Sequence, residues 1–119
     1  MQLCHNELNG SIPTELGKLK RLSVLALQYN HLSGAIPASL GELETLERLD
    51  LSFNTLLGPI PVTLANAPKL ETLDIRNNSL SGSVPTGNKS NNTNTDTPDM
   101  ILTLTRRQNN NLRNRSDEM

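Results

Sequence analysis

Asparagine returns every 24 residues, at Asn6, Asn30, Asn54 and Asn78, and the same frame surrounds each one. The frame is clearest from Leu19 to Pro37, where Leu19, Leu22, Leu25, Leu27 and Leu32 are followed by Gly34, Ile36 and Pro37. A strict period of this length marks stacked repeats, none of which can bury its apolar side without a neighbour. Such a stack presents one long surface, so binding is expected rather than catalysis.

Residues 1–86 carry about three and a half repeats, centred on the four asparagines. The first is partial and opens at its strand, with Met1 in the slot of Leu25 and Leu49, and Leu3 in that of Leu27 and Leu51. The next leucine slots hold Asn88, Asn91, Asn94, Thr97 and Asp99, so the frame stops. Residues 87–119 are rich in Asn, Ser and Thr. Such a segment buries too little apolar surface to offset its ordering entropy, and a disordered tail is expected. One apolar patch, Met100–Leu104, has the composition of an edge strand for the last repeat but reads more simply as linker. Arg106, Arg107, Arg113 and Arg115 are partly balanced by Asp117 and Glu118, as in a solvated tail.

The bulk composition narrows the partners. With 119 residues and a net charge of −1, no global field draws the chain to nucleic acid or anionic lipid. One Tyr, one Phe and no Trp leave the core to aliphatic side chains. Cys4 is the single cysteine, which excludes an internal disulfide. No apolar run approaches the ~20 residues needed to span a bilayer. Met1–Asn6 already lies inside a repeat, so no secretory signal is expected there.

Within a repeat, Leu25 and Leu27 alternate with Ala26 and Gln28, which is a strand period with leucines inward. Successive repeats align these strands in parallel. The chain then turns inward, and an asparagine amide, with two donors and an acceptor, suits the turns of its own and the neighbouring repeat. Gly10, Gly34, Gly58 and Gly82 share a slot that calls for positive φ or close backbone approach. Pro13, Pro37, Pro61 and Pro85 follow Ile12, Ile36, Ile60 and Val84, which favours a second extended segment. Leu16, Leu40 and Leu64, then Leu19, Leu43 and Ala67, suit a helical or 3₁₀ turn on the convex side.

This pattern resembles the plant-type leucine-rich repeat, LxxLxxLxLxxNxLxGxIPxxLGx. Residues 41–61, GELETLERLDLSFNTLLGPIP, match it almost slot for slot. The resemblance implies an α/β solenoid, a short curved stack with a parallel inner sheet. It implies kinship with the extracellular regions of plant receptor-like kinases and receptor-like proteins, and more distantly with polygalacturonase-inhibiting proteins. Those families bind peptides, hormones, carbohydrates or partner receptors on the strand-bearing inner face, without a cofactor. Their secretion signal, paired-cysteine caps, membrane helix and kinase domain have no counterpart here, so a non-enzymatic slice of such a receptor is expected. Localisation follows the same split: extracellular or at the plasma membrane by resemblance, cytosolic if translated as given. The alternatives are an enzyme inhibitor of the polygalacturonase-inhibiting kind and a truncated product without a function of its own.

The inner face is then given by the residues between the strand leucines. These are Val24, Ala26, Gln28 and Tyr29, then Arg48, Asp50, Ser52 and Phe53, then Thr72, Asp74, Arg76 and Asn77. A protein or peptide ligand, or a partner receptor, is the expected occupant. His5, Tyr29, Phe53 and Asn77 form one column, either a ligand stripe or, the simpler reading, a shield for the sheet edge. Asp50 and Asp74 form a second column, read as structural. Cys4 and His5 lack further metal-ligand spacing, and no metal site is expected. No nucleophile, zinc-protease or P-loop motif occurs. Candidate N-glycosylation sequons stand at Asn9, Asn77, Asn88, Asn91 and Asn114. Both ends of the stack lack a cap. Met1, Leu3, Leu8 and Leu16 at one end, and Leu70, Leu73, Ile75 and Leu80 at the other, are expected to face solvent and to promote self-association.

Overall fold

A computed structural model describes residues 1–82 and 101–103 of the chain. The two complete coils, around Asn30 and Asn54, each contribute two short strands and a convex turn. The inner strands are β2 (Val24–Ala26), β4 (Arg48–Asp50) and β6 (Thr72–Asp74). The flanking strands are β1 (Asn9–Ser11), β3 (His31–Gly34), β5 (Thr55–Pro59) and β7 (Ser79–Ser81). In the inner sheet partners lie one full period apart, with Leu25 beside Leu49 and Leu49 beside Leu73. Flanking partners are offset by two residues from that period, as in Asn9 beside His31 and Ser33 beside Thr55. After Pro13, Pro37 and Pro61 the chain winds once, as 3₁₀ turns at Thr14–Lys18 and Ala38–Glu42 and as an α-turn at Val62–Ala65.

The leucine ladder closes between these layers. Leu25, Leu49 and Leu73 from the inner strands meet Leu40 and Leu64 from the convex turns, all fully buried. Gly41 allows that closeness. A Cβ there would collide with the backbone and side chain of Thr63 in the next coil. Gly34 has a different role: its φ of 76° turns the chain out of the flanking strand.

The asparagines tie each coil to the one before. The Asn54 amide donates to Leu51 O and Ser52 O in its own turn, and to Leu27 O one coil back. Its Oδ1 accepts from the Leu32 N–H at 3.0 Å. Asn30 repeats this with Leu27, Gln28, Leu3 and Leu8, and Asn78 with Ile75, Arg76, Leu51 and Leu56. Among the described residues Asn6 bonds only its own turn, at Leu3 O and Cys4 O.

The two ends differ, which corrects one expectation. Met1, Leu3 and Leu8 are exposed and Leu16 half-buried, as expected. At the other end Leu70, Leu73 and Ile75 are 1%, 2% and 0% exposed, and Leu80 is half-buried. Met100–Leu104, read from sequence as linker, supplies β8 (Ile101–Thr103). It pairs antiparallel with β6, Leu102 beside Leu73, at the edge where the repeat frame ends. The remaining expectations for the tail fall outside the described residues.

Candidate binding face

The pleat of β2, β4 and β6 sends Leu25, Leu49 and Leu73 into the core and the residues on either side to the opposite face. In-register pairing then sets like slots side by side, Val24–Arg48–Thr72 in one row and Ala26–Asp50–Asp74 in the next. Of the twelve residues expected on this face, Tyr29, Arg48, Arg76 and Asn77 are exposed, and Val24, Gln28, Phe53 and Thr72 are half-buried. Ala26, Asp50, Ser52 and Asp74 are almost closed to solvent, so they form the floor rather than the contact layer.

The floor is held by short local bonds. Asp50 Oδ1 accepts from the Ser52 N–H at 3.1 Å and from its hydroxyl at 2.7 Å. One coil on, the same slots hold Asp74 and Arg76. The Arg76 N–H and Nε bond Asp74 Oδ1, and a terminal guanidinium nitrogen lies 2.9 Å from Oδ2. Hydrogen bonding and charge from Asp74 push the Arg76 pKa above its ordinary value, with Asp50 adding to the effect.

The aromatic column is a stack. His5 and Tyr29 lie 4.4 Å apart between ring centroids, and Tyr29 and Phe53 lie 4.3 Å apart, with planes tilted by 12° and 8°. Their backbones share a feature the sequence reading lacked: His5, Tyr29, Phe53 and Asn77 all have φ between 57° and 60°. This left-handed turn brings the chain off the inner strand and aims each ring along the stack. Of the candidate sequons, Asn9 and Asn77 are exposed, and Asn88, Asn91 and Asn114 lie outside the described residues. Cys4 is half-buried with a free thiol, and the described residues bring no three His, Cys, Asp or Glu side chains together as a metal site.

One feature of the face escaped the sequence reading altogether. A hollow of about 330 Å³ opens over Ala26, lined by Gln2, Val24, Gln28, Arg48 and Asp50. Gln28 Oε1 itself is closed from solvent and has no hydrogen-bond donor among the described residues. The cause is a change of residue within a column. Gln28 occupies the slot of Ser52 and Arg76, whose side chains bond the aspartates beside them, but its own neighbour in that column is Ala26. The small side chain leaves both the space and the unmatched amide. The signal was present as Ala26 standing in the column of Asp50 and Asp74.

Comparison with known proteins follows this geometry. The Leucine Rich Repeat family matches residues 21–43, 45–67 and 69–91. No curated protein matches the chain. Among solved structures, the BIR3–SERK2 complex from Arabidopsis thaliana is 39% identical with a TM-score of 0.70, over 72% of this chain and 46% of that one. The ectodomain of the Arabidopsis thaliana membrane receptor kinase GASSHO1/SCHENGEN3, in complex with Casparian strip integrity factor 2, is 46% identical with a TM-score of 0.70. It is matched over 71% of this chain and 10% of its own. The ectodomain of the Arabidopsis receptor kinase HAESA, in complex with an extended IDA peptide hormone, is 43% identical with a TM-score of 0.66, over 71% and 14%. The chain therefore spans less than half the length of each of these relatives.

Proposed function

The chain belongs to the leucine-rich repeat family, with neighbours among plant receptor ectodomains, and on that premise we propose that it is a binding module of the plant receptor-like class. Its ligand is a peptide or a partner receptor lying across the inner strand face, and its setting is the outer side of the plasma membrane. Residues 1–86 act as the binding solenoid and residues 87–119 as its tail. The observation that carries this reading is the layered inner face. Exposed Tyr29, Arg48, Arg76 and Asn77 stand over a bonded floor of Asp50, Ser52 and Asp74, on coils matched to ectodomains solved with peptide or receptor partners. A rigid floor under adaptable polar and aromatic groups is the arrangement that lets a face recognise a chain without first ordering itself.

Isothermal titration of the full chain against a panel of plant peptide hormones and receptor ectodomains tests the reading. Specific binding that is lost in Arg48→Ala with Tyr29→Ala supports it. Binding indifferent to both substitutions, or capture of a pectin-degrading enzyme in place of either partner class, overturns it.

A further inference from the structure

We propose that β8 is a docking edge for a second copy of this chain, with the two β8 strands pairing antiparallel about a two-fold axis at Leu102. The direction of the backbone groups carries the proposal. In β6 the Thr72 N–H donates to Glu47 O, and Asp74 O accepts from the Leu51 N–H, so both residues turn their backbone groups toward β4. Alternation turns those of Leu73 to the other edge, where its partner is Leu102. In β8 the same alternation points the backbone groups of Leu102 at β6 and turns the N–H and C=O of Ile101 and Thr103 away from it. β8 is the last strand of the inner sheet among the described residues, and those outward groups meet no partner there.

An edge of this kind accepts another strand, and Ile101–Thr103 fits a reversed copy of itself. Turned about Leu102, Ile101 of one copy stands opposite Thr103 of the other, and each outward N–H meets an outward C=O. Leu102 then faces Leu102 across the axis as the close, non-hydrogen-bonded pair. Charge along the chain selects the same direction. Asp96 and Asp99 precede the strand and Arg106 and Arg107 follow it. An antiparallel copy draws acidic flank to basic flank on both sides of the axis, whereas a parallel copy sets like charge against like. Ile101–Thr103 also lacks the lysine, proline or charge that blunts natural edges, Ile101 and Thr103 are β-branched, and Ile101 is 42% exposed. The contact is isologous, so it closes at two copies and joins both inner faces into one continuous sheet.

The test is sedimentation equilibrium of the full chain between about 1 μM and 1 mM, because a short edge contact gives a weak dimer. A monomer–dimer equilibrium is expected. Ile101→Pro with Thr103→Pro is expected to raise the dimer dissociation constant about tenfold or more, because proline removes the outward donors. Amide exchange across Thr72–Asp74 should stay unchanged in that variant, because neither lost N–H points at β6. In a mixture of isotope-labelled and unlabelled chains, filtered NMR should show the Leu102 α-hydrogens of the two copies in contact. If exchange across Thr72–Asp74 quickens in the proline variant, the filtered contact in the unaltered chain decides alone: its presence supports the proposal and its absence overturns it. A mass that stays monomeric throughout, a dimer that tolerates both prolines, or a dimer dissolved by Leu3→Lys with Leu8→Lys would each overturn it as well. So would an intermolecular contact between Leu102 and Leu73, which would mean that the copies exchange β8 rather than pair it.

Discussion

The side-chain amide of Asn54 donates to the carbonyl of Leu27, 3.0 Å away in the preceding coil. With its bonds to Leu51 and Ser52, and with Leu32 donating to its Oδ1, one side chain closes backbone groups of two coils. Asn54→Ala is expected to leave the buried Leu32 N–H without a partner and to cost roughly 1–3 kcal/mol in urea denaturation. Asn6→Ala, which loses only bonds to its own exposed turn, is expected to cost under about 1 kcal/mol. Equal costs at the two positions would show that the ladder does not couple coils.

Close approach is tested at Gly41. A Cβ there meets the backbone of Thr63, whereas a Cβ at Gly10 meets nothing within 4 Å. Gly41→Ala should therefore destabilise by about 1–3 kcal/mol through overpacking. Gly10→Ala should cost about 1–2 kcal/mol through its positive φ of 78° alone. The two are distinguishable by amide exchange, since only the Gly41 change should loosen the turn at Val62–Ala65.

Aromatic coupling is measurable by a double-mutant cycle on Tyr29 and Phe53. Rings 4.3 Å apart and nearly parallel should give a coupling of about 0.5–1.5 kcal/mol. A coupling near zero would mean that each ring is held by its own turn and not by its neighbour.

β8 guards one end of the stack. Leu102→Pro removes a backbone N–H from the strand that pairs with β6, and amide exchange across Thr72–Asp74 should speed up while Arg48–Asp50 stays protected. Freeing that edge also leaves two unlike open ends on one molecule. Head-to-tail stacking, a heterologous contact that does not close, should then appear in sedimentation as growing oligomers.

At the opposite end Met1, Leu3 and Leu8 are exposed. Self-association through that end should be abolished in equilibrium sedimentation by Leu3→Lys with Leu8→Lys. Concentration-dependent mass that survives both substitutions would assign the contact elsewhere.

Much of this architecture was legible before any coordinates. A period of 24 assigns every residue a slot, and a slot repeated in neighbouring coils has the same surroundings, so Leu25, Leu49 and Leu73 could be placed inward and Asn30 and Asn54 at the coil junction from spacing alone. The rows of the inner face followed from the same argument, because pleat and register are both periodic. What repetition could not convey is what happens where it breaks. Leu70, Leu73 and Ile75 were expected in water because the frame offers no next leucine, yet three residues from far along the chain pair at that edge. Gln28 and Ala26 look ordinary one at a time, and the hollow arises only when the column sets Ala26 beside Asp50, with Arg48 on the same lining.

The amino-acid order by itself determined the coil, its core and its hydrogen-bonded spine, because each depends on contacts between residues a constant distance apart in the chain. Only the tertiary structure decided how the edge beyond β6 is paired, how far the aspartates are buried, and which amide oxygen is left without a partner among the described residues. Those depend on which unlike side chains are brought together at one place, and a free energy of contact has no value until both partners are present.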